Sequence, residues 1–294
     1  MFRKILVPLD GSRQAGIVVP YLRDLAPRFG SQVDILGVGM GSKRRRVNQL
    51  LWEYADNIVT GLRTDGIQAK AVILYGSPAD KILDHADKNG IDLMIMATHG
   101  RSGLTRWWVG SVAEKVISES STPVLLIRSK RIKETESARK LTFEKILAPL
   151  DGSDIGESAL PIVETLALKT GASVSLLRVM PPLGTVEAGI LGSDLRRFVG
   201  AMRDACEKYL REVAQRLDEK GVQTTYEVIA GDPADGIIEY ARDKKISLIA
   251  MSTHGRSGIA RWVLGSVADK VLHESRVPMW LVRSPKMFRP RPRK

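Results

Sequence analysis

One cysteine, Cys206, is all that the 294 residues contain, so an intrachain disulfide framework is excluded. It sits in a polar helical stretch (MRDACEKYL) and reads as a bystander thiol rather than a redox centre. No apolar run approaches the ~20 residues of a membrane span. The first residues offer only Ile5-Leu6-Val7 before Pro8 and Asp10, far short of the apolar region of a signal peptide, so a cytoplasmic location is expected. Also missing are a Gly-x4-Gly-Lys-Ser/Thr motif and any His/Cys/Asp/Glu cluster with metal-ligand spacing. Neither a P-loop engine nor a structural zinc is expected.

What is present is a repeat. Lys4 to Ser12 (KILVPLDGS) returns as Lys145 to Ser153 (KILAPLDGS), and Thr98 to Val116 returns as Thr253 to Val271 with 14 of 19 positions identical. Cores tolerate drift as long as volume and pattern are kept. Glycine-rich loops held letter for letter imply a geometric demand, and a bound phosphate is the natural source of one. Length agrees with two domains, each in the common size range. With hydrophobic residues at 44% and charged residues at 27%, both halves can bury a core. The reading divides the chain into a first domain at 1–129, a linker at 130–141, a second domain at 142–284 and a basic tail at 285–294.

The net charge of +12 is concentrated outside the repeat, in Lys43 to Arg46 (KRRR) and in the tail Lys286 to Lys294 (KMFRPRPRK). The tail alternates arginine with proline and cannot pack, so a solvated terminus is the first reading and contact with a polyanion the second.

In the first copy, short aliphatic runs at Ile5 to Leu9, Val33 to Val38, Ala69 to Leu74, Leu93 to Ala97 and Val124 to Arg128 read as buried parallel strands. Helical stretches fall at about Arg13 to Phe29, about Val47 to Asp65, Pro78 to Lys88 and Ser111 to Glu119. Ser77 before Pro78, with Asp80 in the first turn, predicts a capped helix start, and Asp232-Pro233-Ala234-Asp235 is its counterpart. Strand and helix alternate, which predicts a parallel sheet with helices on both faces. The copies are offset by 141 residues at first and by 155 later. The 14-residue difference falls after the second strand, where the second copy carries Pro181 to Ser193 ahead of a longer helix.

In an open parallel sheet, ligands bind beyond the carboxyl ends of the strands where strand order reverses. Asp10 leaves the first strand and Ala97 the fourth, so the two loops face one crevice if those strands are neighbours. Gly100 permits a sharp turn, Gly110-Ser111 opens a helix with free amides, and Arg101 and Arg256 add charge, which together suit an anion.

The ILVPLDGS and ILAPLDGS strands, the THGRSG loops, the GSVA turns and the final PVLLIR and PMWLVR strands resemble the universal stress protein family and its ATP-binding signature, Gly-x2-Gly-x9-Gly-Ser/Thr, over nearly the whole chain. The resemblance implies a tandem pair of Rossmann-like five-stranded parallel sheets with strand order 3-2-1-4-5. It implies ATP as ligand, with or without magnesium. Asp10 and Asp151, after Pro8-Leu9 and Pro149-Leu150, would face the ribose or a phosphate-bound metal, and Val38 and Val179 the adenine. Gly100, Gly103, Gly110, Ser111 and Val112, with Gly255, Gly258, Gly265, Ser266 and Val267, would surround the phosphates, beside His99, Arg101, His254 and Arg256. The first glycine of the signature is replaced by Ala97 and Ser252, whose Cβ narrows the approach near the ribose. In the family the last strands commonly pair two such domains, so an internal pseudo-dimer or a homodimer is expected.

Other features read more plainly. Gly37-Val38-Gly39-Met40-Gly41 lacks the spacing of a dinucleotide fingerprint. His99 and His254 have no repeated nucleophile beside them, and Trp107, Trp108 and Trp262 suit apolar anchors of the loop. The expectation is a stress-response protein that holds ATP as a sensor or regulatory ligand. Slow ATP hydrolysis or phosphotransfer, with Asp10 or Asp151 on the metal, is the enzyme alternative. A nucleotide-free scaffold whose basic segments touch nucleic acid is the other.

Overall fold

The central strands of this chain are short and aliphatic, and they are buried on both faces, as a sheet sandwiched between helix layers requires. The computed structural model describes residues 2–12, 14–39, 45–98, 109–128, 143–181, 185–253 and 264–283. Two Rossmann-like parallel-sheet domains follow one another, each an α/β unit of its own.

The first unit holds β1 (Lys4–Leu9), β2 (Gln32–Gly39), β3 (Ala69–Tyr75), β4 (Leu93–Ala97) and β5 (Val124–Ile127) in the order β3-β2-β1-β4-β5. All four neighbouring pairs are parallel. Ile5, Leu6 and Val7 are fully buried at its centre. A 3-10 turn at Ala15–Val18 leads into α1 (Val19–Phe29), and α2 (Arg45–Thr64), α3 (Pro78–Asn89) and α4 (Ser111–Glu119) complete the crossovers. Helix α1 stops at Gly30, whose φ of 61° suits a residue without Cβ. Pro78 opens α3 as expected, but the Ser77 side chain makes no capping bond.

The second unit repeats the plan with β6 (Lys145–Pro149), β7 (Ser173–Met180), β8 (Thr224–Ala230) and β9 (Leu248–Ser252), all parallel, in the order β8-β7-β6-β9. Its helices are α5 (Leu160–Thr170), α6 (Thr185–Asp218), α7 (Pro233–Asp243) and α8 (Ser266–Glu274), with a 3-10 turn at Gly156–Ala159 before α5. Most of the insertion is helix: α6 starts at Thr185 and runs for 34 residues, where α2 has 20. Cys206 lies on α6 and is buried. At the start of α7, Asp232 does what Ser77 does not and accepts from the amides of Ala234 and Asp235, both at 3.1 Å.

The last strand, β10 (Met279–Val282), belongs to the first unit, where it pairs antiparallel with β5. Trp280, completely buried, faces Leu125 in that pairing and packs against Phe2, with ring centroids 5.2 Å apart. Phe2 adopts the left-handed backbone region at φ 55°, a conformation that costs free energy in a bulky residue, and its ring meets Phe29 edge-on as well. Among the described residues no helix is long and apolar enough to cross a membrane.

Candidate functional site

The switch point lies where β1 is flanked by β2 on one side and β4 on the other, with Ile5 opposite Leu93 and Leu6 opposite Met94. In the second unit β6 and β9 meet likewise, through Ile146–Leu248 and Leu147–Ile249. The repeated loops follow the carboxyl ends of these strands in the chain.

In the second unit the crevice is a pocket of about 330 Å³. Three walls compose it. Leu177 and Val179 of β7, with Pro233 and Ile237 of α7, make an apolar side. Pro149, Leu150 and Asp151 leave β6 and face Gly156 of the following turn, while Met251 and Ser252 end β9 beside Thr253. The third wall is Gly265, Ser266, Val267 and Ala268, the start of α8, where backbone amides have no partner inside the helix and the helix dipole is positive.

Hydrogen bonds set this geometry. The Gly265 amide donates to the Thr253 carbonyl at 2.8 Å and the Gly110 amide to the Thr98 carbonyl at 2.8 Å, so each loop after the fourth strand closes on its own origin before the helix begins. At the other wall, Asp151 Oδ1 accepts from the Ser153 amide at 3.0 Å and from its hydroxyl at 2.6 Å, and the Gly156 amide donates to Ser153 Oγ at 3.0 Å. The first unit has the matching bonds from the Ser12 amide to Asp10 at 2.9 Å and from the Ala15 amide to Ser12 Oγ at 3.1 Å. An aspartate that bends back to cap its own loop is held in one orientation before any ligand arrives.

Behind the aspartate the two units differ. In the first, the Tyr54 hydroxyl donates to the Ser12 carbonyl at 3.1 Å. Burial and then the Asp10 charge raise its pKa. In the second, the Tyr209 hydroxyl donates to Glu157 at 2.9 Å, Arg178 lies over the Tyr209 ring at 5.7 Å, and Arg216 reaches Glu157 at 2.9 Å. Burial first, then the Glu157 hydrogen bond and charge, hold the Tyr209 phenol well above the ordinary phenol range. Arg178 occupies the space that a side chain at residue 152 would need, and Gly152 also has φ of 78°, so glycine is required there twice over.

Of the residues singled out from the sequence, Pro149, Leu150, Asp151, Val179, Ser252, Gly265, Ser266 and Val267 line the pocket together. Pro8 and Leu9 end β1, Asp10 follows them, Val38 lies in β2, Ala97 ends β4, and Gly110, Ser111 and Val112 form the start of α4. His99, Gly100, Arg101 and Gly103, and His254, Gly255, Arg256 and Gly258, lie outside the described residues, as do Trp107, Trp108, Trp262, the linker and the basic tail. Sequence reasoning did not single out Gly156, Leu177, Pro233, Ile237, Met251, Thr253 or Ala268 as lining residues. A signal existed for six of these seven, which have identical residues at the matching first-copy positions, as Leu177 does in Leu36 and Met251 in Met96. Among the described residues no group of three or more His, Cys, Asp and Glu gathers as a metal site.

The chain matches the sequence profile of the Universal stress protein family over residues 1–128 and 142–283. A universal stress protein of Methanocaldococcus jannaschii is 33% identical over 144 residues, 49% of this chain and 84% of that one. One from Bacillus subtilis is 32% identical over 147 residues, 48% of this chain and 99% of its own. The crystal structure of a universal stress protein from Archaeoglobus fulgidus superposes with a TM-score of 0.71, covering 96% of this chain and 99% of that one at 20% identity, and so shows the same fold. Twice matched along its length and built as two such domains, the chain belongs to the universal stress protein family.

Proposed function

We propose that this stress-family protein binds an adenine nucleotide, ATP foremost, in the crevice at each switch point and uses it as a regulatory ligand rather than as a substrate to be turned over. The observation that carries the reading is the second-unit pocket, lined both by apolar side chains of β7 and α7 and by the start of α8. An apolar slot suits a purine face, and free amides with a positive dipole suit phosphate. Its volume of about 330 Å³ falls in the range of small-molecule sites. Asp151, held by the Ser153 amide and hydroxyl, suits the sugar hydroxyls or a magnesium ion carried in on the phosphates.

Calorimetry with ATP, ADP, AMP and GTP tests the reading. Saturable, adenine-selective binding with up to two sites per chain is the expected result, and no saturation at millimolar nucleotide removes it.

A further inference from the structure

The two crevices are built from nearly the same residues. Every residue that lines the second-unit pocket has an identical partner at the matching first-unit position except two: Gly156 corresponds to Ala15, and Ser252 to Ala97. Both exchanges fall on the same stretch of wall. Along the sheet β6 lies between β7 and β9, so a ligand with its flat apolar group on Leu177 and Val179 of β7 and its anion at Ser266 beyond β9 sets its middle portion against Asp151 and Ser252. In a nucleotide that portion is the sugar.

The glycine matters because of what stands above it. A Cβ on Gly156 would overlap Asp151 Oδ1 and come within 3.4 Å of Ser153 Oγ. With glycine, the carboxylate leans back over the turn and accepts both Ser153 donors. The first unit carries that methyl group, on buried Ala15, so Asp10 Oδ1, which still accepts from the Ser12 amide at 2.9 Å, cannot lie where Asp151 Oδ1 lies. The second exchange acts in the same direction: buried Ser252 offers a hydroxyl at the end of β9 where Ala97 offers only a methyl.

We infer that Gly156 and Ser252 are specificity-determining residues that make the second crevice depend on the hydroxyls of its ligand's sugar, whereas Ala15 and Ala97 leave the first crevice largely indifferent to them. The two halves then take the same class of ligand with different selectivity. The inference rests on the nucleotide reading above, and its test separates the two.

Binding of ATP and of 2′,3′-dideoxy-ATP is measured by calorimetry on full-length chains in which Gly110→Val leaves the second site or Gly265→Val leaves the first. The preference for ATP over the dideoxy analogue is expected to be about tenfold greater in the second site, the scale of one hydrogen bond to a charged group. Adding Gly156→Ala and Ser252→Ala to the Gly110→Val chain is expected to bring that preference down to the first site's value. The reverse pair, Ala15→Gly with Ala97→Ser in the Gly265→Val chain, is expected to raise it, and it introduces no bulk that threatens folding. ATP binding with a preference that neither exchange moves overturns this inference and leaves the nucleotide reading standing. A wild-type chain that binds no ATP removes both.

Discussion

At Gly110 the constraint is space, not backbone conformation. Its φ of −64° is available to any residue, yet a Cβ would stand 3.3 Å from the Thr98 carbonyl, tighter than ordinary contact. A valine adds two methyl groups beside the amides that open α4. Ser111→Ala removes one hydroxyl, which is about 0.5–1.5 kcal/mol for a neutral hydrogen bond and up to ~3 kcal/mol for one to a charged group. Gly110→Val is therefore expected to abolish nucleotide binding in the first half, where Ser111→Ala weakens it, with the calorimetric stoichiometry falling from two to one and the circular dichroism unchanged. Tyr209 carries a second prediction at this scale. Its pKa is raised in the folded protein, so the folded state keeps a proton that the unfolded chain releases near the ordinary phenol value of about 10. Stability from this source is complete below that pH and declines as pH rises beyond it. Denaturant midpoints measured between pH 8 and pH 11 are expected to fall less steeply in Tyr209→Phe than in the wild type.

Equivalent elements in the two copies are held by different means, which a repeat at the level of pattern conceals. Helices α3 and α7 both start with an N-cap residue followed by proline, yet only Asp232 turns its side chain onto the first amides, and the lowering of its pKa comes first from that backbone hydrogen bonding. A serine and an aspartate rank alike as caps, so residue type alone does not distinguish them. Asp232→Ala is expected to cost about 1 kcal/mol of stability. Ser77→Ala, which removes no capping bond, is expected to cost no more than a few tenths. Urea denaturation of the two variants compares them directly, and equal losses would show that the Ser77 hydroxyl caps α3 in solution. Helix α6 is the larger departure. Pro181 and Pro182 punctuate the insertion, so the sequence reads as a surface loop, but the stretch from Thr185 onward contains no proline and continues the helix to Asp218.

For the chain as a whole, the parallel sheet with helical crossovers was legible because aliphatic runs alternate with helical stretches, whereas the strand order found in the first unit was legible only through the family resemblance. Asp151, Gly265 and Ser266, which line the second-unit pocket, were legible because they repeat. The apolar wall was less so: Leu177 and Ile237 read as ordinary core residues until the topology turns them toward one cavity. The seat of β10 was not readable from its own letters, since Met279–Val282 would serve a parallel or an antiparallel partner equally well, and only the family resemblance raised its pairing with Val124–Ile127. That pairing carries the last prediction. In the first unit β5 would be an edge strand of four buried apolar residues without β10, and such an edge recruits other chains. Deleting 278–294 also strips Trp280 from Phe2 and removes the Arg283 guanidinium that donates to the Ser118 carbonyl at 3.1 Å. The truncated chain is expected to lose several degrees of melting temperature and to associate, as loss of a fully buried tryptophan at about 3–5 kcal/mol implies. Deleting only 285–294 keeps β10 and is expected to leave both properties unchanged. Scanning calorimetry with light scattering on the two truncations decides the matter: if the shorter deletion is as damaging as the longer one, the basic tail and not the β5–β10 pairing is what the first unit needs.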